Sequence, residues 1–266
     1  MNHQNSESSK TALITGATVG IGYELTKLFA RDGYHLVLVA RNEKALNDRK
    51  LELEKAFDVQ VTIVSKDLGN PGAADEIYQQ LAKNGVVIHT LVNNAGFGLL
   101  GNFVGLDYQR QLNMIDLNII SLTALCKLFL HDMLQRGRGN IMNVASTAAF
   151  QPGPGMSVYY ATKAYVLHFT EALAYELKDT GVKVSALCPG PTATEFQERA
   201  GFRNPMLMKG HVMTAAAVAK AGYAGLQRGK TIIIPGFMNK MLAYSVRFTP
   251  RQIILAIVGW LQKNRN

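Results

Sequence analysis

A tyrosine and a lysine stand four residues apart in the segment Tyr159-Tyr160-Ala161-Thr162-Lys163, where a stretch of helical periodicity begins. Residues four apart on a helix share a face, so Tyr159 and Lys163 are expected to be neighbours, whereas Tyr160 points elsewhere. An ammonium group beside a phenol favours the phenolate and lowers the tyrosine pKa from its usual ~10. This pair therefore predicts a general acid for a carbonyl oxygen.

A hydroxyl group is predicted to lie near the same pair. Ser146 stands thirteen residues before Tyr159, directly after the predicted strand Asn140–Ala145. At that strand end it is placed to hydrogen-bond the substrate oxygen that Tyr159 would protonate. A serine that makes a turn is the alternative interpretation.

A second group of residues indicates nucleotide binding. The first predicted strand, Ala12–Thr15, leads directly into Gly16-Ala17-Thr18-Val19-Gly20-Ile21-Gly22, and a helix follows. Glycines at such a junction let the backbone approach a pyrophosphate, and the helix N-terminus offers free N–H groups and a positive dipole end. Glycine also serves simply to make tight turns, but the strand before and the helix after favour a phosphate site.

The end of the second predicted strand indicates which dinucleotide is bound. In an NAD site a carboxylate about 20 positions after the glycines holds the ribose 2′-hydroxyl. Here Arg41 stands 19 residues after Gly22 instead. A guanidinium suits a 2′-phosphate, so the predicted cofactor is NADP(H). A surface arginine at a strand end is the alternative.

These residues come from distant parts of the chain, and a parallel sheet would bring them together. Short apolar runs alternate with helical periodicity, and several runs are continuously apolar, as in strands buried on both faces. This alternation predicts an α/β fold: a Rossmann-type doubly wound parallel sheet of about seven strands with helices on both faces. The predicted strands are Ala12–Thr15, Leu36–Ala40, Val59–Val64, Ile88–Asn93, Asn140–Ala145, Val182–Leu187 and Thr231–Ile234. The predicted helices are Glu24–Arg31, Glu43–Phe57, Ala73–Lys83, Leu117–Leu134 and Ala161–Leu177.

Composition excludes several classes of protein. The chain has 266 residues, 48% of them hydrophobic, which is enough for a core. Two cysteines, Cys126 and Cys188, exclude a disulfide framework and are too few for a structural zinc site, so no metal is expected. The polar start resembles no signal peptide, and no uninterrupted apolar run reaches the ~18–20 residues of a membrane span. We expect a cytoplasmic protein with residues 1–9 as a disordered polar tail and residues 10–236 as a single catalytic domain.

The positive charge is concentrated in the last quarter of the chain. Residues 1–200 carry 18 Lys and Arg against 19 Asp and Glu, whereas residues 201–266 carry 10 Lys and Arg and no acid. This asymmetry indicates an anionic partner, whether a membrane, a phosphorylated substrate or an acidic protein. A solvated basic face without a partner is the alternative. Nucleic-acid binding is not expected, because the chain has no recognition motif.

Residues 237–266 are predicted to form a basic amphipathic helical extension. Met238–Leu261 divides into two helical pieces at Thr249-Pro250. In the second piece one apolar face is predicted, with Trp260 beside it; its members are Ile253, Ile254, Ile257, Val258 and Leu261. Such a helix is either a lid or dimer contact over the substrate cleft, or a peripheral contact in a membrane interface.

Seven motifs stand in order between Lys10 and Phe196, and together they resemble the classical branch of the short-chain dehydrogenase/reductase family. They are TGATVGIG at Thr15–Gly22, Asp67-Leu68, Asn-Asn-Ala-Gly at Asn93–Gly96, Asn118, Ser146, the Tyr159–Lys163 pair and the Pro-Gly segment Cys188–Thr194. The loop Thr194–Gly210 has no motif that we recognise.

The resemblance implies a role for each matching residue. Tyr159 would be the acid/base, Lys163 would lower its pKa and hold the nicotinamide ribose, and Ser146 would orient the carbonyl. Asn118 would hold a water that links Lys163 to solvent, with a structural hydrogen bond to backbone as the alternative. The implied cofactor contacts are Gly16, Thr18, Gly20, Ile21, Gly22, Arg41, Asp67, Leu68, Asn94, Tyr159, Lys163 and Thr192.

The resemblance also implies a reaction: NADPH-dependent reduction of a small-molecule ketone, lipophilic or of 3-oxoacyl type, to a secondary alcohol. Ala40–Leu46 and the basic C-terminus resemble the branch that contains long-chain 3-oxoacyl and hydroxysteroid reductases. The alternatives are an NADP-dependent dehydrogenase of a hydroxysteroid or other secondary alcohol, and a non-catalytic NADP-binding scaffold. A homodimer or homotetramer is expected.

Overall fold

A computed structural model describes residues 10–202 and 212–263. The predicted tail 1–9 and part of the loop Thr194–Gly210 lie outside the described residues. The strands are β1 (Thr11–Thr15), β2 (His35–Ala40), β3 (Val61–Ser65), β4 (Thr90–Asn93), β5 (Gly139–Val144), β6 (Val182–Leu187), β7 (Thr192–Ala193), β8 (Met213–Thr214) and β9 (Ile232–Ile233). Seven of them form one sheet in the order β3-β2-β1-β4-β5-β6-β9, with every pair parallel. The predicted doubly wound α/β sheet is confirmed.

Helices cover both faces of this sheet. They are α1 (Gly20–Arg31), α2 (Glu43–Ala56), α3 (Ala73–Lys83), α4 (Tyr108–Ile115), α5 (Leu122–Gln135), α6 (Ser157–Glu176), α7 (Phe196–Ala200), α8 (Ala215–Gln227), α9 (Phe237–Ser245) and α10 (Arg251–Lys263). A π-helical turn, Asp116–Ser121, joins α4 to α5. Short 3-10 helices occur at Phe103–Gly105, Thr147–Phe150 and Val246–Phe248.

Alternate side chains of each strand fill two separate cores, because successive residues of a strand point to opposite faces. Leu13 of β1 belongs to the core beneath α3, α5 and α6. Its neighbours Ala12 and Ile14 belong to the core beneath α1, α2 and α8. Burial on both faces explains why these strands appear in the sequence as continuous apolar runs.

Helix α8 was not predicted, and its composition explains why. The segment AAAVAKAGYAGLQ consists mostly of small residues, so it has little polar-apolar contrast to mark a helical period. Small residues are required where α8 packs against the sheet. A Cβ at Gly225 would lie 2.5 Å from Ile233 Cδ1, and one at Gly222 would lie 2.8 Å from Leu187 Cδ2. These glycines let α8 lie directly against β6 and β9.

One helix within the described ranges, Tyr108–Gln135, is long and apolar enough to cross a membrane by length and composition. Its buried residues include Leu125, Phe129 and Met133, which belong to the core on the α3/α5/α6 face of the sheet. Core helices pass the same test, and the packing of this helix explains its apolar character.

Candidate active site

The predicted site residues meet at the carboxyl edge of the sheet, because parallel strands all end there. The glycine turn follows β1, the Asn93–Gly96 motif follows β4, Ser146 follows β5 and the Pro-Gly segment follows β6. The sheet reverses its order between β1 and β4. In open α/β sheets the ligand crevice lies at such a switch point.

Tyr159 and Lys163 lie on one face of α6 and are both buried, at 8% and 5% exposure. The Lys163 Nζ lies 5.9 Å from the centroid of the Tyr159 ring. The Ser146 side chain is close enough to Tyr159 to lower the pKa of the phenol, and its Oγ donates a 3.5 Å hydrogen bond to the Pro189 carbonyl. The structure thus brings together the three residues that the sequence analysis assigned to a carbonyl group.

The end of β5 holds this trio in place. Lys163 Nζ donates a 2.8 Å hydrogen bond to the Val144 carbonyl, the last residue of that strand. Two residues on, the Ser146 Oγ accepts from the Ala148 N–H at 3.1 Å and so caps the 3-10 helix Thr147–Phe150. The strand end therefore fixes both the ammonium and the hydroxyl relative to Tyr159.

Burial dominates the ionisation of the pair. Burial raises the pKa of Tyr159 well above its usual range, and the Ser146 side chain opposes this shift. Burial also lowers the pKa of Lys163 to about 8. The net direction for Tyr159 is opposite to the one predicted from the Tyr159–Lys163 spacing. The physical reason is that desolvation penalises the phenolate more than its surroundings stabilise it.

Asn118 is buried in the π-helical turn and is bonded at both ends of its amide. Its Oδ1 accepts from the Phe97 N–H at 3.2 Å, and its Nδ2 donates to the Phe97 carbonyl at 3.0 Å and to Thr162 Oγ1 at 3.1 Å. In this structure Asn118 therefore makes the structural hydrogen bond to backbone that was the alternative to a water-holding role. A Cβ at Gly96 would lie 2.9 Å from Asn118 Oδ1 and 3.5 Å from Lys163 Nζ, so Gly96 separates the two side chains.

The glycine turn has the shape of a phosphate cradle. Gly16 and Gly20 have φ of 63° and 58°, which side-chain-bearing residues rarely adopt. A Cβ at Gly22, in the first turn of α1, would lie 2.3 Å from the Gly16 carbonyl oxygen. The glycines thus let the turn pack closely against the start of α1, and a glycine turn beside a helix N-terminus fits a dinucleotide pyrophosphate. Thr18 and Ile21 lie within the same turn and first helical residues.

Asn94 braces this cradle from the neighbouring strand. Its Nδ2 donates to the Thr15 carbonyl at 2.9 Å and to the Gly16 carbonyl at 3.1 Å. The Thr15 hydroxyl in turn accepts from the backbone N–H groups of Asn94 and Ala95, both at 2.9 Å. The side chain of Asn94 is thus committed to the turn, and its predicted contact with adenosine stays a prediction.

Arg41 and Asp67 lie together where the adenosine end of a dinucleotide is predicted. Arg41 is 72% exposed in its side chain, and its Nη1 lies 3.8 Å from Asp67 Oδ2. Asp67 also accepts from the Gly69 N–H at 2.9 Å. The Leu68 side chain is buried in the core and its carbonyl accepts from Ser121 Oγ, so it does not face this corner.

Arg49 is a residue at the turn that the sequence analysis missed. Its Nε donates to the Thr18 carbonyl at 3.2 Å, its guanidinium carbon lies 4.1 Å from the Tyr23 ring centroid, and it pairs with Glu52. The contact spans 31 residues, and no local pattern in α2 marks it.

Thr192 is buried, and its Oγ1 donates to the Gly190 carbonyl at 2.9 Å.

Apolar side chains surround Tyr159. A cluster of buried residues encloses its ring, with six partly buried residues packed against it. The buried members are Leu99, Leu100, Met114, Ala148 and Met156. The partly buried ones are Phe97, Leu106, Val158, Tyr160, Phe196 and Phe202. A polar oxygen-binding trio inside such a wall suits a carbonyl carried on an apolar skeleton.

The family model described as short chain dehydrogenase matches residues 10–203, which is most of the chain. The chain belongs to the short-chain dehydrogenase family. It is accordingly an oxidoreductase of the kind that interconverts ketones and secondary alcohols with a nicotinamide dinucleotide.

Solved structures and a curated protein of this family resemble the chain. A short-chain dehydrogenase from Sphingobium yanoikuyae, in complex with NADPH, is 34% identical with a TM-score of 0.81, covering 89% of this chain and 92% of that one. The bulky-bulky ketone specific alcohol dehydrogenase from Comamonas testosteroni is 30% identical with a TM-score of 0.77, covering 91% and 95%. Very-long-chain 3-oxoacyl-CoA reductase-B from Danio rerio is 32% identical over 206 residues, 76% of this chain and 65% of that protein.

The geometry of the glycine turn predicts the effect of one methyl group. Gly22→Ala should raise the dissociation constant for NADPH by roughly tenfold or more, because the new Cβ must displace the Gly16 carbonyl that shapes the cradle. Gly105→Ala is the matched control, since a Cβ there meets nothing within 4 Å. Titration calorimetry of both variants measures the difference. Equal affinities would show that the cradle does not hold the cofactor.

Proposed function

We propose that this protein is an NADPH-dependent reductase of lipophilic ketones, including 3-oxoacyl-type substrates, and that it acts through Ser146, Tyr159, Lys163 and Asn118. The observation that carries the proposal is the state of Tyr159. Its phenol is buried in an apolar wall and its pKa is raised, so it holds its proton at neutral pH. A protonated phenol in that position is a donor for a carbonyl oxygen.

The chain's own residues supply the acid side of the reduction. Bound NADPH supplies the hydride that reaches the carbonyl carbon. The Ser146 hydroxyl hydrogen-bonds the carbonyl oxygen, and Tyr159 transfers its hydroxyl proton to that oxygen as the alcohol forms. Lys163 is protonated at neutral pH, because its pKa is about 8, and its charge stabilises the phenolate left on Tyr159.

Asn118 supports this chemistry by position. Its amide ties the Phe97 backbone to Thr162, one residue before Lys163. This connection fixes the distance between α6 and the loop after β4. The implied water that links Lys163 to solvent belongs to this proposal and would sit beside Gly96.

Two features support NADPH over NADH. Arg41 presents an exposed guanidinium at the end of β2, held loosely by Asp67 at 3.8 Å. A guanidinium that is not locked into a tight ion pair can bind a 2′-phosphate in bidentate fashion. The Sphingobium relative contains NADPH. In the same proposal Asp67 and the Leu68 backbone contact the adenine, and Thr192 contacts the carboxamide.

The apolar wall and the relatives support the substrate class. The wall contains long and aromatic side chains. The Danio rerio relative is named for very-long-chain 3-oxoacyl-CoA, and the Comamonas testosteroni relative for bulky-bulky ketones. Both names describe ketones with large substituents.

Oxidation of a hydroxysteroid or other secondary alcohol is the reverse reaction and needs Tyr159 as a base. The same residues catalyse both directions, so the preference for reduction rests on the proposed use of NADPH through Arg41, because NADPH is the reducing cofactor. A non-catalytic scaffold would not need Ser146, Tyr159, Lys163 and Asn118 together. We also propose a cytoplasmic homodimer or homotetramer, by analogy with the family.

Removal of one oxygen atom tests the acid. Tyr159→Phe should lower the turnover of NADPH with a ketone by about 10²–10⁴-fold, since the phenylalanine has no hydroxyl proton to give to the product oxygen. Affinity for NADPH should change little, as judged by fluorescence titration. Tyr175→Phe, exposed on the same helix, is the control. Turnover retained in Tyr159→Phe would assign the acid to another residue.

The pH profile tests Lys163. Its ammonium is present below its pKa of about 8 and is lost above it, whereas Tyr159 stays protonated across that range. For ketone reduction kcat/KM should therefore be level at neutral pH and fall as pH rises through about 8. A plateau that continues to a pH near the usual lysine pKa would contradict this assignment.

Arg41 tests the cofactor. Arg41→Ala should raise the KM for NADPH by roughly tenfold or more and leave the KM for NADH unchanged, because only NADPH carries the 2′-phosphate. Arg31→Ala, an exposed arginine at the end of α1, is the control. Wild-type activity with NADH and none with NADPH would overturn the role of Arg41.

A panel of ketones of graded chain length, with 3-oxoacyl thioesters included, measures the substrate preference.

A further inference from the structure

The outward side of the C-terminal helices carries large apolar side chains in contact with solvent. We call this the C-terminal surface; it comprises the exposed residues of α9, the 3-10 helix Val246–Phe248 and α10. Phe248 is 89% exposed and Trp260 63% exposed, and Phe237, Leu242, Ile253 and Ile257 are also exposed. Large contiguous apolar patches on a folded protein mark interaction sites.

The inner side of α10 is already packed, so the exposed residues are not waiting for a place in the core. Ile254, Val258 and Gln262 are buried. Gln262 Nε2 donates to the Tyr160 hydroxyl at 2.9 Å, one residue from Tyr159. The residues of the predicted apolar face differ in burial: Ile254 and Val258 are buried, whereas Ile253, Ile257 and Leu261 are exposed. Helix α10 therefore carries apolar side chains both on its packed side and towards solvent.

The charges on this surface are all positive. Lys240, Arg247, Arg251 and Lys263 lie in α9, the 3-10 helix and α10, and residues 201–266 contain no Asp or Glu. Within residues 10–202 and 212–263, none of these four cations has a carboxylate at ion-pair distance. Exposed apolar side chains interspersed with cations are the composition of a segment that lies in an anionic lipid interface.

The charge also decides between a membrane and a second copy of the chain. In a two-fold dimer the same patch faces itself, so the four cations of one copy would meet the four of the other. Within residues 237–263 neither copy offers an acid to compensate them. An anionic bilayer supplies both the hydrocarbon for the apolar side chains and phosphates for the cations.

We propose that the C-terminal surface docks on an anionic phospholipid membrane, with α10 lying between the bilayer and the substrate cleft. Phe248, Ile257 and Trp260 enter the headgroup–acyl boundary, and the four cations contact lipid phosphates. Since Gln262 joins α10 to Tyr160, the docked enzyme would open its cleft beside the bilayer, where lipophilic ketones concentrate. This last step rests on the proposed function, whereas the docking does not.

The single tryptophan of the chain makes the test direct, because Trp260 lies on the proposed contact. Full-length protein is mixed with phosphatidylcholine vesicles with or without phosphatidylglycerol, and emission and co-sedimentation are measured. With anionic vesicles Trp260 emission should shift to the blue and the protein should sediment. Added salt should weaken both effects, since the attraction to the headgroups is screened.

Two pairs of variants assign the contact. Phe248→Asp and Ile257→Asp should each weaken partitioning by roughly tenfold or more, whereas Val104→Asp, at an exposed apolar residue far along the chain, should not. Lys240→Gln and Arg251→Gln should each weaken it about fivefold, and Lys44→Gln, an exposed lysine of α2, should leave it unchanged. Unchanged thermal melting confirms that each variant is folded.

Two results would overturn the proposal. One is a wild-type protein whose Trp260 emission and sedimentation are the same with and without anionic vesicles. The other is a wild-type dimer in analytical ultracentrifugation that Ile257→Asp converts to a monomer while Val104→Asp does not, which would assign the surface to self-association. Neither measurement uses NADPH or a ketone, so failure here is separate from failure of the proposed reaction.

Discussion

The hydrogen bond from Lys163 Nζ to the Val144 carbonyl connects helix α6, which carries Tyr159 and Lys163, to strand β5, which Ser146 follows. It joins the only ammonium in the trio to the end of β5 and thereby sets the height of α6 above the sheet. Tyr159 lies on the same face of that helix, and Ser146 follows the same strand. If the lysine were to release this carbonyl, the phenol, the hydroxyl and the ammonium would no longer be held by one element.

Burial gives these groups their chemistry as well as their position. The enclosure that orients Tyr159 also raises its pKa and lowers that of Lys163 to about 8. The two pKa shifts suit the proposed reduction. At neutral pH Tyr159 keeps the proton that it would donate to the substrate oxygen, and Lys163 is still positively charged when that proton leaves. Because Gly96 has no side chain, the loop after β4 can lie close to Lys163. Gly96 also separates the Lys163 ammonium from the Asn118 side chain.

Sequence patterns predicted the parts of the fold that depend on local periodicity. Strand Val182–Leu187 and helix Ala73–Lys83 were predicted with the bounds that the structure has, because apolar runs and helical spacing are marked there. Helix α8 was missed, since its small residues carry no polar-apolar contrast, and the two-residue pair β7 and β8 is too short to leave a pattern. Of the site, Tyr159, Lys163 and Ser146 were predicted to come together.

Contacts between distant segments could not be predicted in the same way. Arg49 reaches the Thr18 carbonyl from α2, and its own neighbours in sequence give no sign of this. The inward and outward sides of α10 depend on where the Tyr160 hydroxyl and the Pro154 ring lie, which no periodicity within α10 encodes. The direction of the Tyr159 pKa shift also depends on the enclosure, which residue spacing does not reveal.

Strand β9 has only two residues and stands at the edge of the sheet, and this shortness protects the fold. A long bare edge would offer its N–H and C=O groups to the strand of another molecule and so seed aggregation. Here the edge is brief, and a cavity of about 250 Å³ beside it is lined by Arg228, Lys230 and Lys240. An incoming strand would find few backbone partners and would meet these cations.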